Sequence, residues 1–191
     1  MTEAEVISGW IAPGARVLDL GCGDGRLLRH LWQARQAPGY GVEIDDAHVL
    51  ECIRNDVNVL QMDLEDGLSA FRDGSFDSVI LSETLQAIHR QEPLLREMLR
   101  VGREAIVSFP NFCYWKARIQ IALAGHMPVS KELPYQWYDT PNVHHCTLVD
   151  FEALCATLGI RILERRVLRD GNPVRLLPNL LGSLAVYRIS A

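Results

Sequence analysis

The chain lacks any long hydrophobic segment. No run of about 18 apolar residues occurs in its 191 residues, so we expect no transmembrane helix. The opening residues Met1–Val6 include no Lys or Arg, which disfavours a secretory signal peptide. The sequence therefore predicts a cytoplasmic protein with no membrane partner.

Cysteines are few and scattered. They number five, and none are spaced as Cys-x-x-Cys, so we expect reduced thiols rather than a disulfide framework. The run His144-His145-Cys146 contains metal-ligand types. Adjacent side chains diverge on an extended chain, however, and no further ligand follows at zinc-finger spacing. We expect no metal site there. The histidines line a cleft or belong to a turn.

Positive charge is in deficit. Lys and Arg number 19 against 24 Asp and Glu, which gives a net charge of −5. Binding to phosphate backbones depends on Lys and Arg, so an acidic chain is poorly suited to it. The sequence predicts no nucleic-acid partner.

Apolar segments alternate with segments of helical spacing. Strands are predicted at about 16–20, 39–43, 58–62, 77–82, 104–109, 160–168 and 184–190. Helices are predicted before Pro13 and at about 24–35, 46–54, 92–101, 112–124 and 149–158, the last between Thr147 and Gly159, and Arg169–Ser183 is predicted as a loop. This alternation indicates an α/β domain over 1–191, with a doubly wound, mostly parallel, seven-stranded sheet and helices on both faces.

The segment Val17–Gly25 is the most informative in the chain. An apolar run ends in a turn containing Gly21, Gly23 and Gly25, and a helical pattern follows. Glycine permits positive φ and close approach of a ligand, and a helix N-terminus presents free N–H groups. The dinucleotide fingerprint G-x-G-x-x-G fits poorly, because its sixth position is Arg26. We expect a cofactor site at the end of the first strand. The alternative is an ordinary strand–helix turn.

An acid ends the next predicted strand. Glu43 follows Gly21 by 22 residues. A carboxylate about 20 residues beyond a glycine loop can accept hydrogen bonds from both hydroxyls of a ribose. Asp45 is the alternative, or it only begins the next helix, where acids are favoured. We favour Glu43 as the ribose ligand.

Four landmarks in order resemble those of the class I S-adenosylmethionine-dependent methyltransferases. They are Asp19 with its glycine loop, Glu43, Asp63, and the segment 74–82. The resemblance implies a Rossmann-like fold that binds S-adenosylmethionine or S-adenosylhomocysteine. It assigns the ribose to Glu43 and the adenine amino group to Asp63, with the N–H of Leu64 facing the ring. The alternative for Asp63 is a capping acid at a loop. The implied cofactor-binding residues are Asp19, Gly21, Cys22, Gly23, Gly25, Glu43, Ile44, Asp63, Leu64 and Ser82.

No catalytic residue can be named from the sequence. Ser82-Glu83-Thr84 follows the fourth strand, near the expected methyl-transfer centre. Nucleic-acid amino-methyltransferases carry an Asn/Asp-Pro-Pro-aromatic motif there, and this chain lacks it. Methyl transfer from a sulfonium depends mainly on in-line positioning, so the lack of an evident base does not exclude that reaction.

Half of the aromatic residues lie in one short segment. Phe109–Tyr138 contains seven of the fourteen Phe, Tyr and Trp residues. Aromatic side chains bring large apolar area and are enriched at interfaces. An acceptor pocket, a protein interface and local core packing are all compatible with this composition. The segment 110–147 is the expected acceptor or partner side, beside a core at about 14–110 and C-terminal elements at about 148–190.

Two segments in the second half of the chain resemble one particular family. The segments Met98–Phe112 and Leu133–His144 resemble the methionine biosynthesis protein MetW family. That family is paired with a homoserine O-acyltransferase in methionine synthesis. The chain has no Gly-x-Ser-x-Gly motif, so it is not itself an α/β-hydrolase-type acyltransferase. The resemblance implies a cofactor-binding accessory or regulatory subunit of the acyltransferase (MetX-type). An active methyltransferase acting on a small molecule is the alternative.

Overall fold

One sheet organises the structure and determines where the polar loops meet. The computed structural model describes residues 1–191, and its strands are β1 (Val17–Leu20), β2 (Gly39–Glu43), β3 (Val59–Gln61), β4 (Phe76–Leu81), β5 (Gly102–Pro110), β6 (Arg161–Arg169), β7 (Asn172–Pro173) and β8 (Leu184–Ser190). They lie in the order β3-β2-β1-β4-β5-β8-β6-β7. Strands β1 to β5 are parallel, and β8 is antiparallel to β5. The carboxyl ends of β1 to β5 therefore share one edge.

Helices cover both faces of this sheet. They are α1 (Glu3–Trp10), α2 (Arg26–Arg35), α3 (Asp46–Arg54), α4 (Gln91–Val101), α5 (Trp115–Ile119), α6 (Leu148–Leu158) and α7 (Pro178–Leu181). Ile7 of α1 and Leu31 of α2 join one buried core, whereas Met98 of α4 and Phe151 of α6 join the other. The predicted doubly wound α/β fold is confirmed.

The prediction of seven strands was wrong by one short strand. β7 pairs with the end of β6 through a hairpin whose two loop residues, Asp170 and Gly171, both have positive φ. An Asp-Gly pair suits such a two-residue turn because both residues tolerate this conformation. β7 lies at the sheet edge, where Pro173 costs no ladder hydrogen bond.

Two predicted boundaries also need correction. The predicted loop at 169–183 contains β7 and the short helix α7, which starts at Pro178; a proline in the first helical turn gives up no intrahelical hydrogen bond. The predicted helix at 112–124 begins only at Trp115 as α5. A wider π-helical turn at Gln120–Ala124 follows α5 and ends at Gly125.

Part of the aromatic segment belongs to the core. Phe109 of β5 stacks on Tyr187 of β8 with ring centroids 5.8 Å apart, and Phe151 of α6 lies 5.0 Å and 4.8 Å from the two rings. The Tyr187 hydroxyl donates a 2.8 Å hydrogen bond to Glu152. Burial raises the pKa of Tyr187, so this hydroxyl stays protonated. The cluster fixes β5, after which the segment 110–147 begins.

Gly41 tests how tightly the glycine loop packs on β2. A Cβ built on Gly41 would lie 3.0 Å from Cys22 Cβ and closer still to its sulfur. We expect Gly41→Ala to destabilise the fold by about 1–3 kcal/mol in urea unfolding, because overpacking forces the loop to shift.

Gly9→Ala is the matched control. Gly9 lies in α1, and a Cβ there meets no heavy atom within 4 Å. This change should be neutral or stabilise by up to about 1 kcal/mol. Equal effects of the two substitutions would contradict the described packing.

Candidate functional site

The glycine loop forms a cradle at the carboxyl end of β1. Gly21, Gly23 and Gly25 all have positive φ, with values of 69°, 54° and 78°. A Cβ on Gly21 would lie 2.6 Å from Thr84 Oγ1, and one on Gly25 would lie 2.9 Å from Val57 Cγ2. A Cβ on Gly23 meets nothing within 4 Å. Gly23 therefore borders open space into which a ligand can fit.

Glu43 ties this loop to the end of β2. Its Oε2 accepts a 2.8 Å hydrogen bond from Gly23 N, and its Oε1 accepts from Ile44 N and Asp45 N at 2.8 Å and 3.0 Å. The side chain is buried. A carboxylate has about four lone-pair sites, so these three bonds leave one acceptor position for a ligand.

The alternative acid, Asp45, has a different environment. Its Oδ1 accepts a 3.0 Å hydrogen bond from His48 N and caps α3. Its side chain is exposed. Of the two acids, Glu43 is therefore the one that contacts the glycine loop.

Asp19 is the most unusual group at this edge. Only 1% of the residue is exposed, and its Oδ1 has no hydrogen-bond partner. Burial, and then the negative charges of Glu3 and Glu43, raise the pKa of Asp19 from 3.8 to about 8. Buried carboxylates are ordinarily paired. The unpaired oxygen is thus ready to accept a hydrogen bond from a ligand, and a cationic donor would also offset the negative charge.

The buried side chain of Cys22 packs against α3 beneath the glycine loop. Its sulfur lies 3.8 Å from the sulfur of Cys52 in α3, and Cys52 donates a 3.1 Å hydrogen bond to Gly23 O. Burial raises the pKa of both thiols, so both stay neutral. The loop is also held by bonds from Gly21 N and Cys22 N to Val42 O, at 2.8 Å and 3.1 Å.

Three other predicted residues lie at neighbouring strand ends. Asp63 follows β3, is exposed, and caps the turn Leu64–Asp66 by accepting a 2.9 Å hydrogen bond from Glu65 N. The side chain of Leu64 packs partly buried against the core. Ser82 follows β4 and donates a 2.7 Å hydrogen bond to Glu3. None of the three is hydrogen-bonded to the glycine loop.

Glu3 and Ser108 also lie at this edge, although no sequence pattern predicts them there. Glu3 reaches from α1 to accept hydrogen bonds from the hydroxyls of Ser82 and Ser108, and Ser108 in turn accepts one from Glu83 N at 2.9 Å. Partial burial of the Glu83 carboxylate, and then the charge of Glu3, raise the pKa of Glu83. These contacts join residues up to 105 positions apart, and no local pattern signals them.

The aromatic segment divides into buried and exposed parts. Tyr114 is buried, and Phe112 stacks on His145 with ring centroids 4.2 Å apart. Trp137 and Tyr138 are 72% and 71% exposed. Other exposed apolar side chains between residues 110 and 147 are Ile119, Ile121, Leu123, Met127, Tyr135 and Val143. No group of three or more His, Cys, Asp or Glu side chains is arranged to hold a metal ion.

Comparison with known proteins identifies the family. A family model described as methionine biosynthesis protein MetW matches residues 2–189. The chain belongs to the MetW family. A MetXA/MetW bifunctional methionine biosynthesis protein from Rhodopirellula baltica is 40% identical over 171 residues, which are 85% of this chain and 27% of that protein. This MetW-family chain thus spans about a quarter of the length of that relative.

Solved structures agree on the fold of this MetW-family chain. A S-adenosylmethionine-dependent methyltransferase from Mesorhizobium loti superposes with a TM-score of 0.72 at 18% identity, covering 98% of this chain and 96% of that one. Another, from Archaeoglobus fulgidus, gives 0.71 at 17% identity and covers 99% and 95%. The class I methyltransferase-like fold is confirmed. None of the helices combines the length and the apolar character that spanning a membrane requires.

The pH dependence of the unfolding free energy should differ between the wild type and Asp19→Asn, because only the wild type has the unpaired carboxyl group. The folded protein holds the Asp19 proton up to about pH 8, whereas the unfolded chain loses it near 3.8. The unfolding free energy of the wild type should therefore fall relative to that of the variant as pH rises between these values. The slope is at most about 1.4 kcal/mol per pH unit.

Urea unfolding of both proteins at about pH 5, 7 and 9 measures this difference. Asp63→Asn, at an exposed position, controls for the loss of a carboxylate without burial. A stability difference between Asp19→Asn and the wild type that stays constant over this range would contradict the burial of an unpaired carboxylate.

Proposed function

We propose that this protein binds S-adenosylmethionine or S-adenosylhomocysteine at the carboxyl ends of β1 and β2. The observation that carries the proposal is Asp19, whose buried oxygen has no partner beside a loop with open space at Gly23. The amino acid part of the cofactor carries an ammonium group. Such a group would satisfy Asp19 and favour its charged form.

The rest of the cofactor has suitable partners at the same edge. Glu43 keeps one acceptor position for a ribose hydroxyl while it holds Gly23. The proposed adenine contacts are the side chain of Asp63 and the N–H of Leu64, with Ile44 as a further neighbour. Cys22, Gly21 and Gly25 would shape the loop, and Ser82 would lie nearer the reactive sulfur. These are the roles that the resemblance to class I methyltransferases implies for these residues.

We propose that the protein acts in methionine biosynthesis as an accessory or regulatory subunit of a homoserine O-acyltransferase. In the Rhodopirellula baltica relative, MetXA and MetW are parts of one bifunctional protein. Fusion of two functions in one chain supports their association when they are separate. A biosynthetic complex of this kind works in the cytoplasm, and we propose that location for this protein.

The exposed part of the aromatic segment is the proposed contact surface for that enzyme. Trp137 and Tyr138 are largely exposed, and their rings meet edge to face with centroids 5.7 Å apart. Large exposed aromatic side chains often dominate binding energy when a partner buries them. The segment begins in the last residues of β5, at the edge of the sheet where the cofactor would bind. Cofactor occupancy could therefore be coupled to partner affinity, in both directions by the same factor.

An active methyltransferase is the second candidate. A hydrogen-bonded polar group is formed by Ser82 and Glu83 after β4, Ser108 of β5 and Glu3 of α1. Because its pKa is raised, the carboxyl of Glu83 could exchange a proton with an acceptor near neutral pH. Transfer of a labelled methyl group to an acceptor, lost in Glu83→Gln while cofactor affinity persists, would favour this candidate.

Cofactor binding should be measurable by calorimetry. We expect S-adenosylhomocysteine to bind with micromolar affinity, about −8 kcal/mol. Gly23→Val should abolish binding, since a side chain would fill the open space and strain the positive φ. Glu43→Ala should weaken binding by about 10- to 100-fold, because a ligand hydrogen bond and the Gly23 contact are both lost.

Asp45→Ala is the matched control for Glu43→Ala. It removes the neighbouring carboxylate, which caps α3 and does not contact the glycine loop. Its cost should appear as about 1 kcal/mol of stability rather than as lost affinity. Loss of affinity in Asp45→Ala but not in Glu43→Ala would reverse the assignment, and no binding by the wild type would refute the site.

Complex formation is the test of the partner. The protein should co-elute with a homoserine O-acyltransferase in gel filtration and change its activity or solubility. Tyr138→Ala should weaken the complex by about 2 kcal/mol, as for a buried aromatic at an interface centre. Tyr40→Ala removes a tyrosine that is 48% exposed on β2 and should have no such effect. Independent elution at tens of micromolar, or equal effects of the two substitutions, would count against the proposed surface.

A further inference from the structure

A separate cavity lies beside α2, at the amino ends of β2 and β3. Its volume is about 550 Å³. It is lined by Arg29 and Trp32 of α2, by residues 37–39 at the start of β2, and by residues 54–58 from the end of α3 to β3. None of the proposed cofactor-binding residues lines it. The proposed function therefore leaves this cavity unexplained.

The walls combine a flat aromatic surface with free positive charge. Trp32 is 52% exposed, so one large apolar ring is available at the cavity. Arg29 and Arg54 both line it, and neither forms a salt bridge with any acid of the chain. Asp56 is the only acid among the lining residues, so the local charge is positive in a chain of net charge −5.

Further polar groups can recognise a ligand there. The side chains of Gln33 and Asn58 line the cavity and make no side-chain hydrogen bond within the protein, so their amides are free to donate and accept. Two guanidiniums suit a phosphate or carboxylate, because their planar N–H groups can bind its oxygens in pairs. An indole suits a flat ring that stacks on it. The chemistry selects an anion that carries a planar ring.

The cavity is connected to the glycine loop by hydrogen bonds. Arg29 donates a 3.3 Å hydrogen bond to Asn55 Oδ1, and Asn55 Nδ2 donates a 3.1 Å hydrogen bond to Asp24 O. Val57, also in the lining, lies where a Cβ on Gly25 would come within 2.9 Å. An anion that draws Arg29 toward itself competes with Asn55 for the same guanidinium, and Asn55 positions the loop backbone.

We propose that this cavity is a regulatory site for a small anion with a planar ring, such as a nucleoside monophosphate presents, and that its occupancy alters ligand affinity at the glycine loop. The effect on affinity rests on the proposed function, since it requires that a ligand binds at the glycine loop. Linkage makes the effect reciprocal: the cofactor changes the affinity of the anion by the same factor.

The test uses uridine 5′-monophosphate, whose pyrimidine differs from the adenine of the cofactor. Calorimetry should show saturable binding at millimolar affinity or tighter, and weaker binding of uridine alone and of inorganic phosphate alone. Arg54→Gln should weaken binding by about tenfold or more, because a charge-assisted contact is lost. Arg54 has no partner within the chain, so its removal should leave the fold intact.

Arg175→Gln is the matched control, because Arg175 is exposed and lies outside the cavity. It should change the affinity by less than about twofold, as for an unpaired surface charge. The same titrations with saturating S-adenosylhomocysteine should give a different dissociation constant for the nucleotide. Asn55→Ala, which breaks the connection to Asp24, should remove that difference.

The outcomes separate the two proposals. No saturable nucleotide binding, equal effects of Arg54→Gln and Arg175→Gln, or simple competition with S-adenosylhomocysteine would overturn the site. Equal nucleotide affinities with and without bound S-adenosylhomocysteine would overturn the link to the glycine loop. A wild type that binds the nucleotide with Arg54 dependence but never binds S-adenosylhomocysteine would refute the cofactor site and leave the anion site standing.

Discussion

A carboxylate buried without a partner is the constraint on which the site depends. Asp19 lies on the interior strand β1, where its Oδ1 reaches neither a donor nor solvent and the nearby charges of Glu3 and Glu43 are negative. Folding alone gains nothing from such a group, since its charged form is strongly disfavoured there. The fold tolerates it because two apolar cores hold the sheet around it. A ligand with a cationic donor would turn this cost into binding specificity.

The remaining parts of the site follow from that arrangement. Parallel pairing of β1 with β2 brings Glu43 beside the glycine loop, and the hydrogen bond from Gly23 N fixes their spacing. The loop can curve there because its glycines adopt positive φ. The first residue of α1, Glu3, reaches the same edge and accepts hydrogen bonds from the hydroxyls of Ser82, after β4, and Ser108, near the end of β5. Contacts distant in sequence thus complete a site that begins in one local motif.

Local patterns predicted the elements that local physics determines. The glycine loop, the Thr147 cap and Gly159 all mark element ends through their own backbone preferences, and the structure has them there. The role of Asp63 as a turn cap was foreseen as the alternative to adenine binding, and both roles are compatible. The contacts of Glu3 could not be predicted, because they depend on how α1 packs. The burial of Phe109 and the exposure of Trp137 could not be predicted either, because they depend on tertiary packing.

Proton release on binding is the most direct test of the account. Titration of S-adenosylhomocysteine near pH 7, in two buffers with different ionisation heats, counts the protons exchanged. Because the pKa of Asp19 is about 8 without ligand, and an ammonium group would lower it, close to one proton should be released. The release should vanish above about pH 9 and be absent in Asp19→Asn. Binding without proton release at pH 7, or with equal release in Asp19→Asn, would contradict the central role of Asp19.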